Sequence, residues 1–368
     1  MIHSKHQKTC LLPLAGLVIA LLTMVSAGKT AGQTAAGQIQ DDSTQYSNVH
    51  FGLLYPLSTN GRLAGQYGNG FSFHLLMGLS REEQNFVFSG VSTVIRGKAS
   101  GMQLAGVSNY TGNSTTGMQL GGVYNHAGDS LQGMQLGGVM NQAKTVRGIQ
   151  LGGVVNRAAD VKGVQLAGVL NKAGDVSGSQ IGGVLNKAGK VTGFQFAGLV
   201  NIADSSDHPV ALLNFIRKGE KSLGLSTDET LNLLLSFRSG GRVLYGIIEV
   251  GTNLQEVPGD GDRLYALGGG LGAHFSFGGD YRLNMEMKTL ILDDFHRGEY
   301  SKYSLHVLPA WRISERIELF AGPAFNFVDT NTPWGKALFA NPIWENGYGN
   351  GHLRQWYVGG MGGVSFLL

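Results

Sequence analysis

Between residues 101 and 203 one short unit restarts seven times, at Gly101, Gly117, Gly133, Gly148, Gly163, Gly178 and Gly193. It reads G-x-Q-Φ-[AG]-G-[VL]-x-N-x, with Φ apolar, and is usually followed by Ala and a turn. Gln recurs at Gln103, Gln119, Gln135, Gln150, Gln165, Gln180 and Gln195, and Asn at Asn109, Asn125, Asn141, Asn156, Asn171, Asn186 and Asn201. A degenerate copy, Phe88-Ser89-Gly90-Val91, precedes them. Such a period means that one supersecondary unit is used again and again. A helix is excluded, because each glycine in its interior would cost about 1 kcal/mol and helical spacing does not gather the apolar positions. Alternation does. In the fifth unit Lys162, Val164, Leu166, Gly168, Leu170 and Lys172 share one face, and Gly163, Gln165, Ala167, Val169 and Asn171 share the other.

Two β architectures satisfy this pattern. In the first, each unit is one strand of an antiparallel transmembrane barrel. With Gly174-Asp175 as a two-residue turn, Asn171 lies opposite Gly178, Val169 opposite Gln180 and Ala167 opposite Gly182, and every residue keeps its face. Where the spacing is 16, a loop at Gly128–Ser130 absorbs the extra residue and pairs Asn125 with Gly133. The second position (Met102, Met118, Met134, Ile149, Val164, Ser179, Phe194) varies in shape but stays mostly apolar, as a lipid-facing position does. In the second architecture each 15-residue unit is one coil of a parallel β-solenoid, which stacks Asn on Asn and Gln on Gln as hydrogen-bonded ladders. It would leave the Met, Val and Leu rows on its outer surface. The first is the leading expectation: an all-β, antiparallel transmembrane barrel of about 16–20 strands. A solenoid followed by a β-barrel or β-sheet domain is the alternative.

The flanks continue the alternation. Residues 46–100 hold the strand-like segments Tyr46–Leu57 and Asn69–Leu79. Within 204–368, Leu231, Leu233, Leu235 and Phe237 oppose Asn232, Ser236 and Arg238. Tyr281, Leu283, Met285 and Met287 oppose Arg282, Asn284, Glu286 and Lys288, and Ile317, Leu319, Ala321, Pro323 and Phe325 follow. The last segment puts Trp356, Val358, Gly360, Gly362, Val364 and Phe366 on one face. Charges that alternate with apolar residues would face lipid unless they faced a lumen, so Arg282, Glu286, Lys288, Arg316 and Glu318 are the candidate lumen charges. The Gln and Asn rows are read as inward-facing, either structural or pore-lining, with mutual hydrogen bonding favoured. Composition agrees with an unusual surface. Charged residues make up 14% of the chain, against about 25% in soluble domains.

Residues 1–27 have the basic start, apolar run and Val25-Ser26-Ala27 ending of a secretory signal. Residues 28–45 read as a flexible mature N-terminus. The G-x-Q-Φ-[AG]-G-V-x-N units, the Leu225-Ser226-Thr227-Asp228-Glu229 and Ser236–Gly240 stretches and Phe320-Ala321-Gly322-Pro323 resemble the glycine-rich surface-repeat proteins of Gram-negative bacteria. The resemblance covers most of residues 46–368. It implies export to the outer membrane or cell surface, and no known activity comes with it.

Little chemistry is legible. The single cysteine is Cys10, inside the signal, so a mature chain has no disulfide or thiolate site. A net charge of +3 leaves no basic stripe for nucleic acid. Asp204, Ser205, Asp207 and His208 can be drawn as a fragment of a hydrolase site, and Asp293, Asp294 and His296, or Asp260 and Asp262, as a cation site. Solvated loop charges account for both sets. No catalytic residue, metal or cofactor is assigned. The expected function is a passive pore or surface structural protein, partnered by outer-membrane lipid and, during biogenesis, by the barrel assembly machinery. A solenoid adhesin or glycan-binding protein is the alternative, and a barrel-embedded hydrolase the third reading.

Overall fold

The computed structural model describes residues 44–255, 263–295, 298–339, 341–349 and 351–368. The signal segment 1–27, nearly all of 28–45, and Asp260, Asp262 and His296 lie outside them.

The repeats are coils of a parallel solenoid, not antiparallel barrel strands. Gly163 lies beside Gly148 and Gly178, Gln165 beside Gln150 and Gln180, and Asn171 beside Asn156 and Asn186. The antiparallel register, with Asn171 opposite Gly178, is thereby overturned, and the alternative architecture is the one found. One coil is a longer strand such as Asp160–Ala167, a corner at Gly168-Val169, and a short strand Leu170–Lys172. A change from 16 to 15 residues is absorbed at a register shift between Ala143 and Thr145, in the corner that Gly128 and Asp129 occupy one coil earlier. The coils run past the repeats at both ends. They start with Gln45–Leu54 and Tyr67–Ser80 and finish with Ser205–Val210 and Leu213–Ile216, giving about ten turns.

Parallel in-register stacking explains which positions resist change. Gly163 has φ +137 and Gly178 φ +133, a region closed to other residues. A Cβ on Gly163 would also overlap the carbonyl oxygen of Gly148 in the coil before. The corner glycines obey the same constraint, since a Cβ on Gly168 would meet the Gly153 carbonyl. Inside, columns of Val and Ala (Val146, Val161, Val176; Ala143, Ala158, Ala173) make a thin apolar core.

From Lys221 the chain changes plan. Eight antiparallel strands among the described residues, Lys221–Asp228, Asn232–Gly240, Leu244–Asn253, Tyr265–Ser276, Tyr281–Asp293, Tyr300–Ser314, Ile317–Thr330 and His352–Leu367, pair in sequence. The last pairs with the first, Leu225 opposite Val364, so the sheet closes. The expected 16–20 strands are therefore too many for the closed sheet, because the repeat strands are spent on coils. A short strand, Trp344–Tyr348, folds back onto the eighth.

The final coil is capped by the barrel. Asn214 N–H donates to Ser239 Oγ at 3.0 Å and its Nδ2 to Ser239 O at 3.2 Å. Leu212 sits over Gly246 and Gly269, two glycines on the outer wall of the barrel that leave room for it. A solenoid whose last coil had open hydrogen-bonding edges would invite pairing with other chains; the second and third barrel strands cover that edge here.

Candidate functional site

Three groups of polar side chains are built into this scaffold. The first is the pair of amide ladders. All seven repeat glutamines and all seven asparagines are fully buried. Each Asn Nδ2 donates to the Asn Oδ1 of the following coil, from Asn109 to Asn125 at 2.9 Å through to Asn201 and Asn214 at 3.0 Å. Each also donates to a main-chain carbonyl there, as Asn171 does to Ile181 O at 2.7 Å. The Gln ladder runs the other way. Gln119 Nε2 donates back to Gln103 Oε1 at 3.0 Å, and Gln195 back to Gln180 at 3.1 Å. The two rows of amide dipoles therefore oppose each other, so neither end of the rod accumulates a field. Their bonds lie inside the coils, so the rows line no channel.

The Gln ladder stops at its N-terminal end, where Val87 stands in the column below Gln103, leaving Gln103 Nε2 without a partner. A second polar group occupies the first coils instead. Glu83 accepts from Ser72 Oγ at 2.8 Å and Asn69 Nδ2 at 3.0 Å. His74 Nε2 lies 3.3 Å from His50 Nδ1, and its Nδ1 lies 3.3 Å from Ser89 Oγ. Burial pushes the Glu83 carboxyl up to about 7, and holds His50 and His74 down at about 4. The sequence reading missed this cluster. Its signal was Asn69 and Glu83 in an inward column that later reads Ala99, Thr115, Leu131, Val146 and Val161, and His74 in one that later reads Ala105, Gly121 and Gly137.

The third group fills the barrel. Arg238 pairs with Glu286 (Nε–Oε1 2.7 Å), and Tyr245 OH donates to the same carboxylate at 3.0 Å. Lys288 pairs with Glu249 at 2.9 Å, Lys302 with Asp228 and Glu229 at 2.8 Å each, and Arg282 with Glu318 at 2.6 Å and Glu220 at 2.7 Å. Of the candidate lumen charges, Arg282, Glu286, Lys288 and Glu318 thus point inward and neutralise one another or a neighbour. Arg316 is exposed in the turn after Ser314. An eight-stranded barrel is just wide enough for its side chains, and these occupy it. The partners Asp228, Glu249 and Lys302 were not singled out from sequence, although Glu249 stands between Ile248 and Val250 as Glu286 does between Met285 and Met287.

The drawn hydrolase fragment does not converge. His208 Nδ1 and Asp207 Oδ2 both engage the main chain of Gly193, at 3.3 and 3.2 Å, and Asp204 pairs with Arg217 at 2.9 Å. Asp293 accepts from Phe295 N–H and Asp294 from Trp334 Nε1. Among the described residues no group of three or more His, Cys, Asp or Glu is placed to hold a metal, and no helix is long and apolar enough to cross a membrane.

The outer faces carry the opposite chemistry. On the barrel, Leu235, Leu267, Met287, Trp311, Phe325 and Trp356 are all exposed. On the solenoid, Leu136, Leu166, Val169, Val184 and Leu199 are exposed as well. No family model matches the chain, and neither curated proteins nor solved structures give a match.

Proposed function

We propose that the chain is an exported structural protein of the outer membrane, in which the barrel is the anchor and the solenoid is a stiff arm held against the membrane. The observation that carries this is the inverted polarity of the barrel: paired charges inside, Leu, Met, Phe and Trp outside. A soluble barrel would be built the other way, whereas a membrane barrel has an apolar outer band and a polar interior. The paired interior argues for anchorage over a passive pore.

Orientation follows from loop lengths. Three short connections (241–243, 277–280 and 315–316) and the last barrel residue lie at the solenoid end, while the longer connections, from Asn253 to Tyr265, Asp293 to Tyr300 and Thr330 to His352, join strands at the other end beside the short turn 229–231. Membrane barrels keep short turns on the periplasmic side and long loops outside, which puts the solenoid on the inner side. A second reading, recognition of surface glycans, is favoured by one feature of the long-loop end. A cavity of about 650 Å³ lies there beside the exposed Tyr348 and the half-buried His352, on the hairpin that also presents Trp344.

The test is refolding of residues 28–368 in detergent, followed by electrophoresis of unboiled and boiled samples. A heat-dependent mobility shift with β circular dichroism before boiling supports the anchor. A chain that stays monomeric without detergent and shows no shift sinks it. Protease added to intact cells should then cut the 331–351 loop and spare the coils.

A further inference from the structure

The outward positions of the solenoid are not distributed evenly around it. In the coil 160–174, Val164, Leu166, Val169 and Leu170 sit together around the Gly168 corner, with Lys162 and Lys172 at the two borders. Because the coils stack in register, each position becomes a column. The apolar columns form a ribbon, which at ~4.8 Å per coil is roughly 48 Å long over about ten coils. Its border is basic over the middle coils. Arg157, Lys172 and Lys187 stack directly on one another, and Arg147 pairs with Lys162 on the other side. None of these five has an ion-pair partner among the described residues, and like charges side by side on a sheet repel. Such a column is stabilised by anions supplied from outside.

The ribbon also has a neighbour. Its corner column, Val169, Val184, Leu199 and Leu212, ends on the outer wall of the barrel, where Leu212 packs over Gly246 and Gly269. Those glycines pair with Leu271 and Ile248, which face outward in turn. The apolar ribbon and the apolar wall are therefore one continuous surface.

We infer that the ribbon lies on the lipid surface beside the barrel, its apolar columns in the boundary between headgroups and acyl chains and its Arg157, Lys172 and Lys187 column on anionic headgroups. An apolar stripe edged by Lys and Arg is the interfacial pattern of helices that lie in a membrane surface, and long basic side chains extend their charged ends to the headgroups while their stems stay in apolar contact. The solenoid presents that pattern on a rigid sheet, so no ordering on binding is required. This rests on the barrel reading.

The experiment uses the full chain with Cys10→Ser and single cysteines at Val169 on the ribbon, Asp175 on the far flank or Leu267 on the barrel wall, each carrying an environment-sensitive fluorophore. The protein is reconstituted in vesicles of phosphatidylethanolamine with one quarter phosphatidylglycerol, with or without brominated acyl chains. The expected result is quenching at positions 169 and 267, about two-fold or more, and little at 175. Arg157→Gln, Lys172→Gln and Lys187→Gln together should weaken quenching at 169 and leave 267 unchanged. Quenching at 267 alone overturns the inference and leaves the anchor standing. No quenching at either position overturns both. Disulfide cross-linking between copies at position 169 in place of quenching assigns the ribbon to a second copy of the chain, which also overturns it.

Discussion

Replacing Asn171 by Ala removes the middle of the Asn ladder, and the structure gives the size of the loss. Three hydrogen bonds go: Asn156 Nδ2 to Asn171 Oδ1 at 3.0 Å, Asn171 Nδ2 to Asn186 Oδ1 at 2.9 Å, and Asn171 Nδ2 to Ile181 O at 2.7 Å. At a net ~1 kcal/mol each they contribute about 3 kcal/mol, and a buried acceptor left without a donor costs a further ~1–3. The damage is one-sided. Asn156 Nδ2 keeps Leu166 O and Gln150 O, whereas Asn186 Oδ1 is left with nothing to accept from the ladder. The expected destabilisation is therefore about 4–6 kcal/mol, concentrated on the coil after the substitution. Hydrogen exchange read by mass spectrometry measures it, because coils of a solenoid open with their nearest neighbours. Protection should fall more in 175–189 than in 145–159. Asn171→Asp is nearly isosteric but donates nothing, and sets a carboxylate against the Asn186 and Ile181 oxygens; it should cost at least as much as Ala. Lys172→Ala, one residue along and exposed, should change protection by less than about 0.5 kcal/mol. If Asn171→Asp is tolerated, or Asn171→Ala costs no more than Lys172→Ala, the ladder does not hold the coils together and the reasoning fails.

Further outcomes follow from the same geometry. Gly163→Ala, at φ +137 and against the Gly148 carbonyl, should cost about 3 kcal/mol or more, while Gly189→Ala, in an ordinary conformation, should cost about 1 or less, both by hydrogen exchange of the flanking coils. Glu83 has a folded value, about 7, above the ordinary carboxyl range, so its ionised form opposes folding. Acidifying from about pH 8 to about pH 6.5 should stabilise the first coils by up to ~1 kcal/mol, and Glu83→Gln should abolish that gain. His50 and His74, held neutral down to about 4, work in the other direction below about pH 6.5, so protease resistance of residues 45–95 should peak near neutral to mildly acidic pH. In the barrel, Arg238→Met leaves Glu286 buried with its main partner gone and should cost about 3–5 kcal/mol, whereas Arg238→Met with Glu286→Leu should recover most of it, read as the temperature at which the unboiled gel form is lost.

Much of the barrel was legible because alternation alone determines it. Asn232, Ser236 and Arg238 point inward and Leu231, Leu233 and Leu235 outward, and the same holds for Glu286 and Lys288 against Met285 and Met287. What alternation does not contain is the partner. Glu286 pairs with Arg238, 48 residues earlier, and Lys302 with Asp228, 74 residues earlier. Those distances are set by closure of the sheet. The buried Glu83 cluster was hidden for a related reason, since its members come from three coils that depart from the repeat.

For the repeats, the period, most of each face and the mutual hydrogen bonding of the Gln and Asn rows could be read from the residues alone, but Val169, grouped with Gln165 and Asn171 by alternation, turns outward because the chain bends at Gly168. The sequence did not determine the direction in which a strand meets the next. A period-2 pattern with 15-residue spacing satisfies an antiparallel hairpin and a parallel coil equally, because both keep the Gln and Asn rows on one face. Only the tertiary structure decided between them, through contacts one full turn apart. The Gly163 Cα approaches the Gly148 carbonyl too closely for a side chain, and Asn156 needs the oxygen of Asn171 and no other to complete its bonds. An antiparallel register would have set glycine against asparagine and left both amide rows unpaired along their length.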